Sequence, residues 1–143
     1  MKRLALAAVL AGLPMAALAE GKTHYVAFHI DDSDKRVMNM VLNNVQNTAN
    51  HYRAQGDSVV IEVVAYGPGL QMYVDGGSPV ADRIAAMSLE LDDITFSACG
   101  NTHRKMSEKA GAEVALLDEA GIVPSGVVRL VELQEAGFAY VRP

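Results

Sequence analysis

The run Ser58-Val59-Val60-Ile61-Glu62-Val63-Val64-Ala65-Tyr66 does most to limit what this chain can fold into. It is nearly continuous in β-branched residues and too short for a buried helix. Such a segment reads as a strand covered on both faces, and strands of that kind belong to parallel sheets flanked by helices. The segments around it repeat the pattern. Tyr25 to Ile30 is β-rich and ends in Asp31-Asp32-Ser33-Asp34, where Ser33 or Asp34 can cap a helix. In that helix Met38, Val41, Val45, Ala49 and Tyr52 recur at spacings of three and four, and Gly56 supplies a stop.

Beyond the central run comes Gly67-Pro68-Gly69, a tight loop. Ser78-Pro79 pairs a cap with proline at a first helical position, opening a helix to about Leu91. Asp92-Asp93 reads as a turn into a strand carrying Ala98 and Cys99, followed by a helix over Asn101–Ala110 with Gly111 as its stop. The stretch Glu113 to Pro124 is ambiguous, with Val114-Ala115-Leu116-Leu117 fitting either a short strand or part of a helix. Ser125 can cap a last helix over Gly126–Glu135, and Phe138 to Val141 reads as a closing strand. Strands alternating with helices predict a three-layer α/β/α sandwich with a mainly parallel sheet.

The amino terminus has the three regions of a secretory signal. Met1-Lys2-Arg3 is basic, Leu4 to Leu18 is largely apolar, and Ala17-Leu18-Ala19 fits a small-residue cleavage site. The expected division is a signal peptide over residues 1–19 and one domain over residues 20–143, exported to the periplasm. No membrane association is expected once the signal is removed, since the apolar run is short and broken by Gly12 and Pro14. The chain carries 12 Lys and Arg against 17 Asp and Glu and no tryptophan. An acidic chain without a basic cluster argues against nucleic acid as a partner.

Cys99 is the single cysteine. In an oxidising compartment a lone thiol is either buried and inert or kept for reactivity. Its place where a strand turns into a helix favours reactivity, because free amide groups and the positive end of the helix dipole stabilise a thiolate. Gly100, Asn101, Thr102 and His103 follow it as candidate supporting residues, with His103 and Arg104 as sources of positive charge. The other reading treats Cys99 as a small apolar core residue. In a parallel sheet the carboxyl ends of the strands share the edge where ligands bind. Three loops should meet there, at His29–Asp34, Tyr66–Leu70 and Ala98–His103, which makes His29, Tyr66, Gly67 and Gly69 candidate pocket residues.

Other chemistry finds little support. The four histidines show no ligand spacing, so no metal and no cofactor is expected. His29 reads equally as a structural histidine, His51 as a cation near a helix end, and His24 as an exposed residue. Asp31, Asp32 and Asp34 fit helix capping better than a calcium loop. Gly67-Pro68-Gly69 lacks the lysine and hydroxyl of a phosphate loop and reads as a place of close backbone approach, to another subunit or to the Cys99 pocket. The methionines read as packing, and no Ser-His-Asp arrangement has the elbow it needs.

Two stretches carry a family resemblance: Val63-Val64-Ala65-Tyr66-Gly67-Pro68-Gly69-Leu70 and Phe96-Ser97-Ala98-Cys99-Gly100-Asn101-Thr102. With Val123-Pro124-Ser125-Gly126 and Glu132-Leu133-Gln134-Glu135-Ala136-Gly137, they resemble the DsrE/DsrF-like group. That group includes YchN-type proteins and the Tus and Dsr sulfur-relay subunits, and the likeness is to a signal-peptide-bearing branch. The resemblance implies a Rossmann-like sheet of about five strands and a homo-oligomer, either a trimer or a hexamer. It also implies a sulfurtransferase-like activity in which Cys99 carries sulfur as a persulfide between a donor and an acceptor protein. A non-enzymatic oligomeric module, with Cys99 only lining a pocket for a small ligand or partner, is the alternative.

Overall fold

Every strand pairing in the computed structural model, which describes residues 21–143, is parallel. The expected signal peptide, residues 1–19, lies outside the described residues. Strands β1 (Thr23–Ile30), β2 (Ser58–Ala65), β3 (Ile94–Cys99), β4 (Ala120–Val123) and β5 (Ala139–Val141) form one sheet in the order β4-β3-β2-β1-β5. Helices α1 (Lys35–Ala54), α2 (Ala81–Glu90), α3 (Gly100–Ala110) and α4 (Gly126–Glu135) connect them, and a 3-10 turn over Gly67–Tyr73 follows β2. The fold is the expected three-layer α/β sandwich.

The central β2 run is buried on both sides. Ile61, Val63 and Ala65 face one layer and Glu62 and Val64 the other. On the first face lie Met38, Val41, Leu42 and Val45 of α1, Ile84 and Met87 of α2, and Leu70, Met72 and Tyr73 of the 3-10 turn. Met106 of α3 packs against the same cluster. Burial of each such side chain contributes about 1.5–3 kcal/mol. The second face is covered by α4 alone, through Leu130 and Leu133 over Ala27 and Val64.

The layering has a topological cause. The crossovers out of β1, β2 and β3 all run over the first face, while the one out of β4 returns over the second to reach β5. The chain therefore leaves adjacent strands on opposite faces at one place only, between β3 and β4. Such a switch point opens a crevice at the carboxyl edge of a parallel sheet. Cys99 ends β3 there, opposite Val123 of β4.

Of the two caps the sequence offered, Asp34 caps α1, accepting from Arg36 N at 2.7 Å. Several boundaries differ from the sequence reading. Helix α2 starts at Ala81 rather than after Ser78, because the Ser78 hydroxyl donates to the Met72 carbonyl and ties the chain back to the 3-10 turn. Gly67-Pro68-Gly69 opens that turn and is not a bare loop. Val114–Leu117 forms neither strand nor helix. Its backbone bonds to Tyr73 and Asp75, with one isolated bridge between Val74 and Leu116, and the strand of this region is Ala120–Val123.

Candidate functional site

Cys99 is the N-cap of α3, with the extended backbone of β3 and the first free N–H groups of the helix ahead of it. Its side chain makes no capping hydrogen bond to the helix, yet the N–H groups of Asn101 and Thr102 and the Thr102 hydroxyl lie close enough to favour its thiolate. The N–H of Gly126, the first residue of α4, acts in the same sense. Two helix N-termini, diverging to opposite faces of the sheet, thus come together beside one cysteine. Burial pushes the Cys99 thiol up, and the nearby polar groups of Gly126, Thr102 and Asn101 outweigh it, leaving the thiol below its ordinary value.

The close approach of α4 depends on Gly126. A Cβ there would lie 3.1 Å from Cys99 Cβ, 3.1 Å from Tyr66 Cβ and 3.2 Å from Tyr66 Cδ1. Ser125 sets the helix start by accepting from Val128 N. Thr102 has a second contact, because its Oγ1 accepts from Gly67 N at 2.9 Å. Gly67 makes this possible by adopting φ +54°, a left-handed conformation that suits glycine. Cys99 is 5% exposed.

A row of aromatic groups continues from the sulfur across the carboxyl edge. Tyr66 stacks on His29 with ring centroids 4.5 Å apart. His29 Nδ1 lies 2.7 Å from the Tyr140 hydroxyl, while its buried Nε2 has no hydrogen-bond partner among the described residues. Burial pushes His29 below the usual imidazole value, against the opposing charge of Asp31. Burial raises Tyr66 above the usual phenol, helped by Asp31. Asp31 is itself held by Arg142 through two contacts of 2.9 Å.

Beneath this row, on the face that α4 covers, lies an ionic group. Glu62 is 4% exposed. It accepts from Arg129 Nε and Nη2, each at 2.7 Å, and from the Ser97 hydroxyl at 2.6 Å. The forked guanidinium fixes α4 relative to β2 in both translation and rotation. Arg129 lies one turn beyond Gly126, so the same ion pair fixes the helix start that packs against Cys99.

The structure thus places His29, Tyr66 and Gly67 in one neighbourhood with Cys99, Gly100, Asn101 and Thr102, while other sequence expectations need correction. His103 does not face the sulfur: its Nε2–H donates to the Val114 carbonyl at 2.7 Å. Arg104 is held by Glu108 and Asn101. The positive field at Cys99 therefore comes from backbone N–H groups, not from these side chains. Gly69 makes its close approach to the Ile30 carbonyl and Asp31 at the end of β1, rather than to Cys99. His24 is half-buried, stacked on Tyr52 at 3.7 Å and paired with Asp57 at 2.8 Å, so it is not an exposed residue. Among the described residues no group of three or more His, Cys, Asp or Glu could hold a metal ion.

Gly126, Arg129, Ser97 and Glu62 escaped the sequence reading. Glu62 left a signal, as the one charge inside an apolar strand. Gly126 left a weaker one, as a glycine directly after a capping serine.

Neither a protein-family model nor a curated protein matches the chain. Among solved structures it is similar to MTH1491 from Methanobacterium thermoautotrophicum, a protein of unknown function. The two are 31% identical, with 84% of this chain and 99% of that chain covered and a TM-score of 0.68.

Proposed function

This chain belongs to one family with MTH1491, and we propose that within this fold Cys99 serves as a sulfur carrier of a periplasmic, DsrE/DsrF-like relay. The observation that carries the reading is the meeting of the N-termini of α3 and α4 at Cys99, where a Cβ on Gly126 would lie 3.1 Å from Cys99 Cβ. The positive ends of two helices beside one thiol favour the anion that sulfur exchange needs.

The step is a displacement at sulfur. The Cys99 thiolate attacks the terminal sulfur of a donor persulfide R–S–SH. A new S–S bond forms to Cys99, and the donor S–S bond breaks with its electron pair leaving on R–S⁻. The proton stays on the transferred sulfur, giving Cys99–S–SH with no change in total oxidation state. An acceptor thiolate reverses the step. The donor and acceptor are taken to be thiol proteins, and the carrier to be a homo-oligomer, a trimer or a hexamer.

The 5% exposure of Cys99 favours a second reading, a binding module in which the cysteine only lines the pocket beside Tyr66 and His29. One experiment separates them. Intact mass is measured on protein purified without reductant and after incubation with a sulfane-sulfur donor. Added mass of whole sulfur atoms, removed by reductant and missing in Cys99→Ser, supports the carrier. An unmodified mass, with a thiol that iodoacetamide reaches only after denaturation, supports the binding module.

A further inference from the structure

We infer that the cleft between the Gly67–Gln71 segment and α3 is a binding site for a small organic dianion. Its volume is about 540 Å³, within the range of small-molecule sites. Ser33 from the β1–α1 connection, Gln71 from the 3-10 turn, and Thr102, Lys105, Met106 and Lys109 from α3 line it. Three connections at the carboxyl edge of the sheet therefore contribute to one concavity.

The charge distribution selects the ligand. The chain has 17 acidic residues against 12 basic ones, yet no carboxylate lines this cleft. Lys105 and Lys109 stand four residues apart on α3, so both ammonium groups lie on one helix face. Neither forms an ion pair among the described residues, as is also true of Lys22, Lys35, Arg53 and Arg83, but only these two stand together on one helix face that lines a cleft without a carboxylate. The helix dipole accounts for a cation in the last turn, where Lys109 sits. It gives nothing to Lys105 in mid-helix, and placing two unpaired cations one turn apart is unfavourable without a shared anion. Met106 between them offers an apolar wall for a short methylene stem. A dicarboxylate fits these features better than an inorganic anion, because it spans two cations and buries its stem. Thr102 divides the cleft from Cys99, so the two sites share a wall.

The test is made in Cys99→Ser protein, so that it stands or falls independently of sulfur transfer. Succinate is titrated in and followed by backbone amide NMR, with butyrate as the single-charge control. Saturable shifts at Gly67–Gln71 and Thr102–Lys109 are expected. Lys105→Ala/Lys109→Ala, with an unchanged far-ultraviolet spectrum, should weaken them about tenfold, and butyrate should bind at least about tenfold more weakly. Shifts that do not saturate, that survive the double substitution, or that are matched by butyrate would overturn the assignment.

Discussion

The two faces of the sheet are built on different terms. The face under α1, α2, α3 and the 3-10 turn is almost wholly apolar, and its one notable polar group, the Tyr73 hydroxyl, is satisfied by the Val63 carbonyl at 2.7 Å. The face under α4 has four residues in its apolar cluster and, beside them, Glu62, Ser97, His29 and Cys99, all buried. One face holds the fold together, and the other, with a single helix over it, places polar groups near the switch point. A helix with little apolar area to hold it needs a directional contact, and the Glu62–Arg129 fork supplies one.

That contrast can be broken from either side. Leu42→Ala empties a fully buried site on the apolar face. It should cost about 2–5 kcal/mol in urea unfolding while leaving Cys99 alkylation in the folded state unchanged. Arg129→Ala leaves Glu62 buried without its partner. Because Arg129 is itself 36% exposed, the loss should be moderate, about 2–3 kcal/mol, with changed alkylation kinetics as Gly126 shifts. Replacing Glu62 and Arg129 together by Leu and Met should restore most of that stability. If it also restored native alkylation kinetics, the ion pair would have no special part in placing Gly126.

Smaller effects sharpen the picture. Thr102→Val removes a hydroxyl dipole close to the sulfur and orphans Gly67 N. Alkylation at neutral pH should slow about tenfold, if that dipole is worth about as much to the thiolate as one charge-assisted contact, roughly 1.5 kcal/mol. An unchanged rate would show that backbone N–H groups alone set the thiol. The smallest effect is a pH dependence. The folded Cys99 thiol is held below its unfolded value of about 9.0, so between the two values the unfolded chain binds more protons. Stability relative to Cys99→Ser should rise with pH across that window, be complete above the unfolded value and vanish below the folded one. Urea unfolding at stepped pH checks the sign.

The sequence exposed much of this and hid the rest for identifiable reasons. The β2 run, the α1 stripe and the Cys99 strand exit were legible because each is a local pattern. The Val114–Leu117 stretch misled because its apolar residues pack against the 3-10 turn, a contact without periodicity. The four-residue β4 was too short to stand out. At the site, the topology argument brought His29, Tyr66 and Cys99 to one edge. It could not supply Gly126, because that residue packs on Cys99 only once strand order puts β4 beside β3 and sends α4 over the other face. His103 was an error of the same origin: one-turn spacing places it near Cys99 along the helix, but Val114 takes its ring.

The crossover over the second face also bears on when the thiol acquires its character. Bonds that tie α4 and β5 to the sheet span 67 residues from Glu62 to Arg129 and 111 from His29 to Tyr140, and contacts of such long range form late. During synthesis, β1 to α3 emerge first and give Cys99 only the N-terminus of its own helix. The second helix N-terminus, at Gly126, arrives with the last stretch of chain. Thiol acidity is thereby a late event in maturation, and a chain cut before Ser125 would carry a cysteine of more ordinary reactivity.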